Sequence, residues 1–135
     1  MRQDALVAET QGLLWQARSG LDALTDFGFT IAGHSGGCRG ETLEMSSSLV
    51  LLTVSADWLE GEISVTLRGI GGPERTLASV IDLDAVKALH LNRVRRGAAA
   101  GLIETTLRKV AGALVEQAEE VLSGTPEGLS RLGVV

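Results

Sequence analysis

Residues 47–70, SSLVLLTVSADWLEGEISVTLRGI, constrain this chain more than any other stretch, because apolar and polar residues alternate along them with a period of two. That period belongs to extended strands whose side chains point alternately to opposite faces of a sheet. With Glu60 and Gly61 as a two-residue turn, Ala56 faces Val65 and Val54 faces Leu67, while Trp58 meets Ile63. The other face then pairs Asp57 with Ser64, Ser55 with Thr66 and Thr53 with Arg68. A slip of one residue would mix the two sets, so the pattern selects an antiparallel hairpin with one buried and one wet face. Gly61 supplies the positive φ that a tight hairpin turn needs.

The flanking sequence changes period. In residues 3–24, Leu6, Thr10, Leu13, Leu14, Ala17, Leu21 and Leu24 recur at three- and four-residue steps, which predicts an amphipathic helix. FTIAG (29–33) reads as a short strand, and ETLEMS (41–46) as a half-exposed one with Leu43 and Met45 inward. After Gly71-Gly72-Pro73, RTLASVID (75–82) reads as a further edge strand. Asp82 or Asp84 then caps a short helix through Val86, Leu89 and Leu91. The longest helix spans 98–122, with Ile103, Leu107, Val110, Leu114, Ala118, Val121 and Leu122 on one face, and ends at Ser123-Gly124-Thr125-Pro126. The expectation is one α+β domain over 1–135: an N-terminal helix, an antiparallel meander of four or five strands, a short helix, and a long C-terminal helix packed on one sheet face.

Composition narrows the function classes. With 44% hydrophobic and 21% charged residues the 135-residue chain is globular, and with 3% aromatics its core must be aliphatic. A single Cys forms no internal disulfide, the first residues lack an apolar signal core, and no run is long enough to span a bilayer. These features favour a cytoplasmic protein that does not enter the membrane, and the Ala/Gly/Leu/Arg usage suits a bacterial source. The net charge of −5 is unevenly spread. Residues 1–84 carry five basic and twelve acidic groups, whereas residues 85–109 carry six basic groups and one acidic group. An acidic chain short of stacking aromatics argues against nucleic-acid binding.

Three clusters are candidates for chemistry. AGHSGGCRG (32–40) holds the only cysteine, with His34 four residues before Cys38 and Arg39 beside it. An activated thiolate needs such neighbours, yet four glycines oppose the helix that would bring His34 and Cys38 together, and no catalytic signature surrounds them. Nor do the glycines follow a phosphate-loop spacing, and two ligands are too few for a metal. The stretch therefore reads as a loop between two strands, with no catalytic residue, metal or cofactor assigned. Arg93, Arg95 and Arg96 precede the longest helix, where guanidinium forks beside unpaired helix amides suit a small anion or nucleotide. Asp57, Glu60 and Glu62 at the hairpin tip, with Trp15 off the apolar stripe of the first helix, are candidate contacts for a protein partner.

The expected function is a non-enzymatic protein–protein interaction module, comparable in size, acidity and layout to small inhibitors, immunity-type antitoxins and secretion chaperones. The alternative is an anion- or nucleotide-binding regulator at the three arginines. An edge strand, 29–33 or 75–81, is also suited to pair with its copy in a homodimer.

Overall fold

The computed structural model describes residues 12–36, 39–57, 62–81 and 96–134, with side chains in the long C-terminal helix from residue 101 onward. Its elements are α1 (Leu13–Gln16), a 3-10 helix (Arg18–Phe27), β1 (Thr30–Gly36), β2 (Gly40–Ser46), β3 (Val50–Asp57), β4 (Glu62–Gly69), β5 (Glu74–Thr76), a 3-10 turn (Leu77–Ser79), α2 (Arg96–Gln117), α3 (Glu119–Ser123) and α4 (Pro126–Arg131). The five strands form one antiparallel sheet in the order β1-β2-β3-β4-β5, the meander expected of an α+β chain.

The β3–β4 faces are those the alternation predicts, but the register differs by two residues. Val54 pairs with Val65, Leu52 with Leu67 and Ala56 with Ile63, and Asp57 meets Glu62 at the end of the ladder. Residues 58–61 lie outside the described residues, and the pairing of Asp57 with Glu62 is not the register in which Glu60-Gly61 form a two-residue turn. Shifting an antiparallel pair by two residues leaves every side chain on its own face, so the hydrophobic pattern is equally satisfied by both registers. Across the sheet, Leu43, Val54 and Val65 form one buried row, and Met45, Leu52 and Leu67 the next. The opposite face carries Thr42, Ser55 and Ser64 in one row and Glu44, Thr53, Thr66 and Thr76 in another.

The predicted helix over 3–24 is a different object where it is described. Only Leu13–Gln16 is α-helical, and the chain then winds more tightly as a 3-10 helix to Phe27. The apolar residues follow that tighter period, since Leu21, Leu24 and Phe27 stand three apart and eclipse one another in a 3-10 helix. Gly20 sets the approach to α2: a Cβ there would lie 2.4 Å from the Glu104 carbonyl oxygen.

On α2, Ile103, Leu107, Val110 and Leu114 are buried as expected, and they join the sheet and the 3-10 helix in one aliphatic core. Each fully buried leucine there contributes about 1.5–3 kcal/mol. The helix predicted to run to 122 breaks at Ala118 (φ −142°, ψ 38°) and restarts as α3, which leaves Val121 and Leu122 in phase with the core. A further helix, α4, follows; Thr125 caps it by accepting the Gly128 N–H, with Pro126 in its first turn. The strand expected over 75–82 covers only Glu74–Thr76, because Leu77 turns into the core and a 3-10 turn begins. The short helix expected through Val86, Leu89 and Leu91 lies outside the described residues.

Candidate functional site

β1 extends three residues further than the sequence predicts, and the reason lies in its bulge. Ile31 pairs with Met45 and Gly33 with Glu44, which leaves Ala32 as an extra residue. A bulge reverses which side chains face the core beyond it. His34, opposite Leu43, and Gly36, opposite Glu41, thus point toward the helices. The segment read as a loop is a strand as far as Gly36, and Cys38 lies outside the described residues.

Glu41 is the residue around which this corner is built. It is in phase with Leu43 and Met45 on the core face of β2, and it is the buried charged residue among the described residues, with 2% exposure. Its cross-strand neighbours are small: Gly36 on one side and Ala56 on the other. A Cβ at Gly36 would lie 2.8 Å from the Glu41 Cα, so only glycine lets β1 close over this position.

The carboxylate reaches out of the sheet to α1. Leu14 N–H donates to Oε1 at 3.0 Å and Trp15 N–H to Oε2 at 3.1 Å. The residue preceding α1, Gly12, makes no side-chain cap, so a strand residue 27 positions away in sequence does the work of an N-cap. His34 completes the carboxylate's shell, with Nε2 2.5 Å from Oε2. The His34 ring lies 5.3 Å from the Trp15 ring, tilted by 40°. On Trp15, in turn, sits the Arg18 guanidinium, 4.2 Å from the ring centre, and Arg18 also donates to the Trp15 carbonyl at 2.7 Å. Glu41, His34, Trp15 and Arg18 form a continuous chain of contacts from the buried core to the surface beside β1.

This arrangement fixes an imidazole and holds an edge strand against a helix. It brings no hydroxyl or thiol nucleophile to His34 among the described residues, and no group of three His, Cys, Asp or Glu there has metal-binding spacing. A shallow cleft of 290 Å³ at the other end of the sheet is lined by Ser46, Ser47, Leu51, Ile70 and, as its sole charged group, Arg68. That is small for a ligand pocket.

Trp15 is 38% exposed and belongs to the chain of contacts above. Asp57 and Glu62 face one another at the same end of the sheet as Glu41 but on the wet face, and Glu60 lies outside the described residues. Arg93 and Arg95 also lie outside them; Arg96 opens α2, and its side chain is not described. Sequence reasoning missed Glu41 altogether. The available signal was the alternation of ETLEMS itself, which places position 41 on the same face as Leu43 and Met45.

Compared with known protein families, curated proteins and solved structures, the chain matches none. No helix among the described residues is long and apolar enough to cross a membrane.

Proposed function

We propose that this chain is a non-enzymatic interaction module that binds a protein partner by strand addition along β1, flanked by Trp15. The observation that carries this reading is the state of that edge. Six of the seven residues of β1 are exposed and Gly33 is half-buried, and TIAGHSG contains no charge and no proline. Sheet edges that must stay unpaired are normally shortened, charged or interrupted by proline, because free N–H and C=O groups otherwise recruit another strand. Strand addition takes its affinity from main-chain hydrogen bonds and its selectivity from flanking side chains. Here those side chains are Ile31 and Trp15, 39% and 38% exposed.

A setting in the bacterial cytoplasm and a role of the inhibitor, immunity or chaperone kind fit the single cysteine, the acidity and the size of the chain. The test is calorimetric titration of the protein with the purified products of the genes adjacent to its own. One of them is expected to bind, and Ile31→Lys to weaken that binding about tenfold or more, about 1.4 kcal/mol. Binding that survives both Ile31→Lys and Trp15→Ala unchanged contradicts the assignment of the edge. Absence of binding by every candidate, and of any other association sensitive to Ile31→Lys, contradicts the function.

A further inference from the structure

We propose that β1 pairs with β1 of a second copy of this chain across a twofold axis, joining two five-stranded sheets into one continuous antiparallel sheet. This inference rests on the reading of β1 as a docking edge and names its occupant.

The first argument is charge. Each copy carries a net −5, so two copies meet most readily where neither presents charge, and residues 30–36 carry none. No antiparallel register of two such strands sets like charges opposite each other.

The second argument is self-complementarity created by the bulge. Ile31 faces the core side of the sheet before Ala32, and His34 faces the same side after it, as their partners Met45 and Leu43 show. Thr30 and Ser35 share the opposite face through Ser46 and Thr42. A twofold pairing that keeps faces matched and places the two bulges at its centre sets Ile31 opposite His34 of the second copy. The same pairing sets Thr30 opposite Ser35 of the second copy. Since the Trp15 ring lies 5.3 Å from the His34 ring, each Ile31 then packs beside the imidazole and indole of the other copy. Two of the five exposed large apolar side chains among the described residues are thereby covered in each copy, and the contact occurs twice.

The third argument is preorganisation. His34 is held by Glu41, and Glu41 by the Leu14 and Trp15 amides, so the strand and its flanking aromatic are already in place. Little ordering remains to oppose association. The opposite edge lacks these properties: β5 has three residues, follows Pro73 and carries Glu74 and Arg75.

Sedimentation velocity on the whole chain at rising concentration is the first test, with Ile31→Lys as the variant. Ile31 is 39% exposed, so at a concentration where both proteins are monomeric this substitution is expected to leave the urea midpoint unchanged. Wild type is expected to reach twice the 14.1 kDa protomer mass and Ile31→Lys to remain at the protomer mass. The second test places Thr30→Cys and Ser35→Cys together in a Cys38→Ser background. Directly opposed residues of antiparallel strands stand about 4.5–5.5 Å apart at Cα, within disulfide range, so oxidation is expected to give a covalent dimer. A control carrying Ser64→Cys, on the interior strand β4, is expected to give none. A wild type that stays monomeric at every concentration overturns the self-pairing. If such a monomer still binds another protein in a manner sensitive to Ile31→Lys, the docking edge stands and its occupant is a foreign strand. A dimer indifferent to Ile31→Lys, or one that fails to cross-link through positions 30 and 35, overturns the pairing as placed.

Discussion

β1 closes one side of the sheet with seven residues, and β5 closes the other with three. At β5 the chain enters through Pro73, presents Glu74 and Arg75, and turns away at Leu77. Arg75 donates to the Leu132 carbonyl, and Arg131 to the Val80 carbonyl at 2.6 Å, so the C-terminal helices fasten that margin with exposed guanidinium groups. At β1 there is neither charge nor proline, and the fastening is internal. A buried carboxylate holds the strand through His34 and the helix through two amides. The contrast teaches that an open edge need not be a loose one. Position 41 invests a buried carboxylate in rigidity at a margin that has no further strand beside it among the described residues.

Removing that charge is the severest way to break the comparison. Glu41→Ala leaves one buried and one half-buried amide donor without their acceptor and opens a space between Gly36 and Ala56, so a loss of about 3 kcal/mol in urea unfolding is expected. Glu41→Gln, which keeps an acceptor oxygen and the shape, should cost about 1 kcal/mol. A loss below about 1 kcal/mol for Glu41→Ala would mean that this corner does not hold the edge. At the other margin, Arg131→Ala removes the bond to the Val80 carbonyl and should cost about 1–2 kcal/mol. If Arg131→Ala cost more than Glu41→Ala, the contrast between the edges would be reversed.

Smaller effects sharpen the picture between the edges. Asp57 and Glu62 are directly opposed across β3 and β4, so Glu62→Lys is expected to stabilise by about 0.2–1 kcal/mol in the same assay. The weakest effect is acid dependence. A hydrogen bond from the Ser19 hydroxyl, with attraction from Arg108, holds the Glu104 carboxyl below the usual carboxylate range. Its own backbone N–H, then the Arg131 guanidinium, do the same for Glu120. Carboxylates lowered by folding stabilise the native state above their unfolded value, near pH ~4.3, and lose that contribution as pH falls through their folded values. Unfolding midpoints should therefore drop less steeply below about pH 4.3 in the Glu104→Gln, Glu120→Gln double variant than in wild type. Since both groups are surface-exposed, high salt should shrink the difference.

The faces of β2, β3 and β4 were legible because a buried side must be apolar at every second residue. The register was not, since two registers that differ by two residues place the same side chains on the same faces. His34, Ser35 and Gly36 read as loop because glycines surround them, yet an edge strand tolerates glycine, and Gly36 is required where β1 crosses Glu41. The break at Ala118 left no mark in the pattern because Val121 and Leu122 stay in phase across it. The corner itself was hidden by its chemistry. A glutamate in a strand reads as a wet residue unless the small partners Gly36 and Ala56 and the uncapped amides of α1 are known, and these come from contacts distant in sequence.

Hydrogen–deuterium exchange compared between β1 and β5, at low and at high protein concentration, tests the central claim most directly. The outward amides of residues 30–36 are expected to gain protection as concentration rises, while those of 74–76 stay unchanged. Exchange at β1 that is as fast as at β5 and independent of concentration would contradict it.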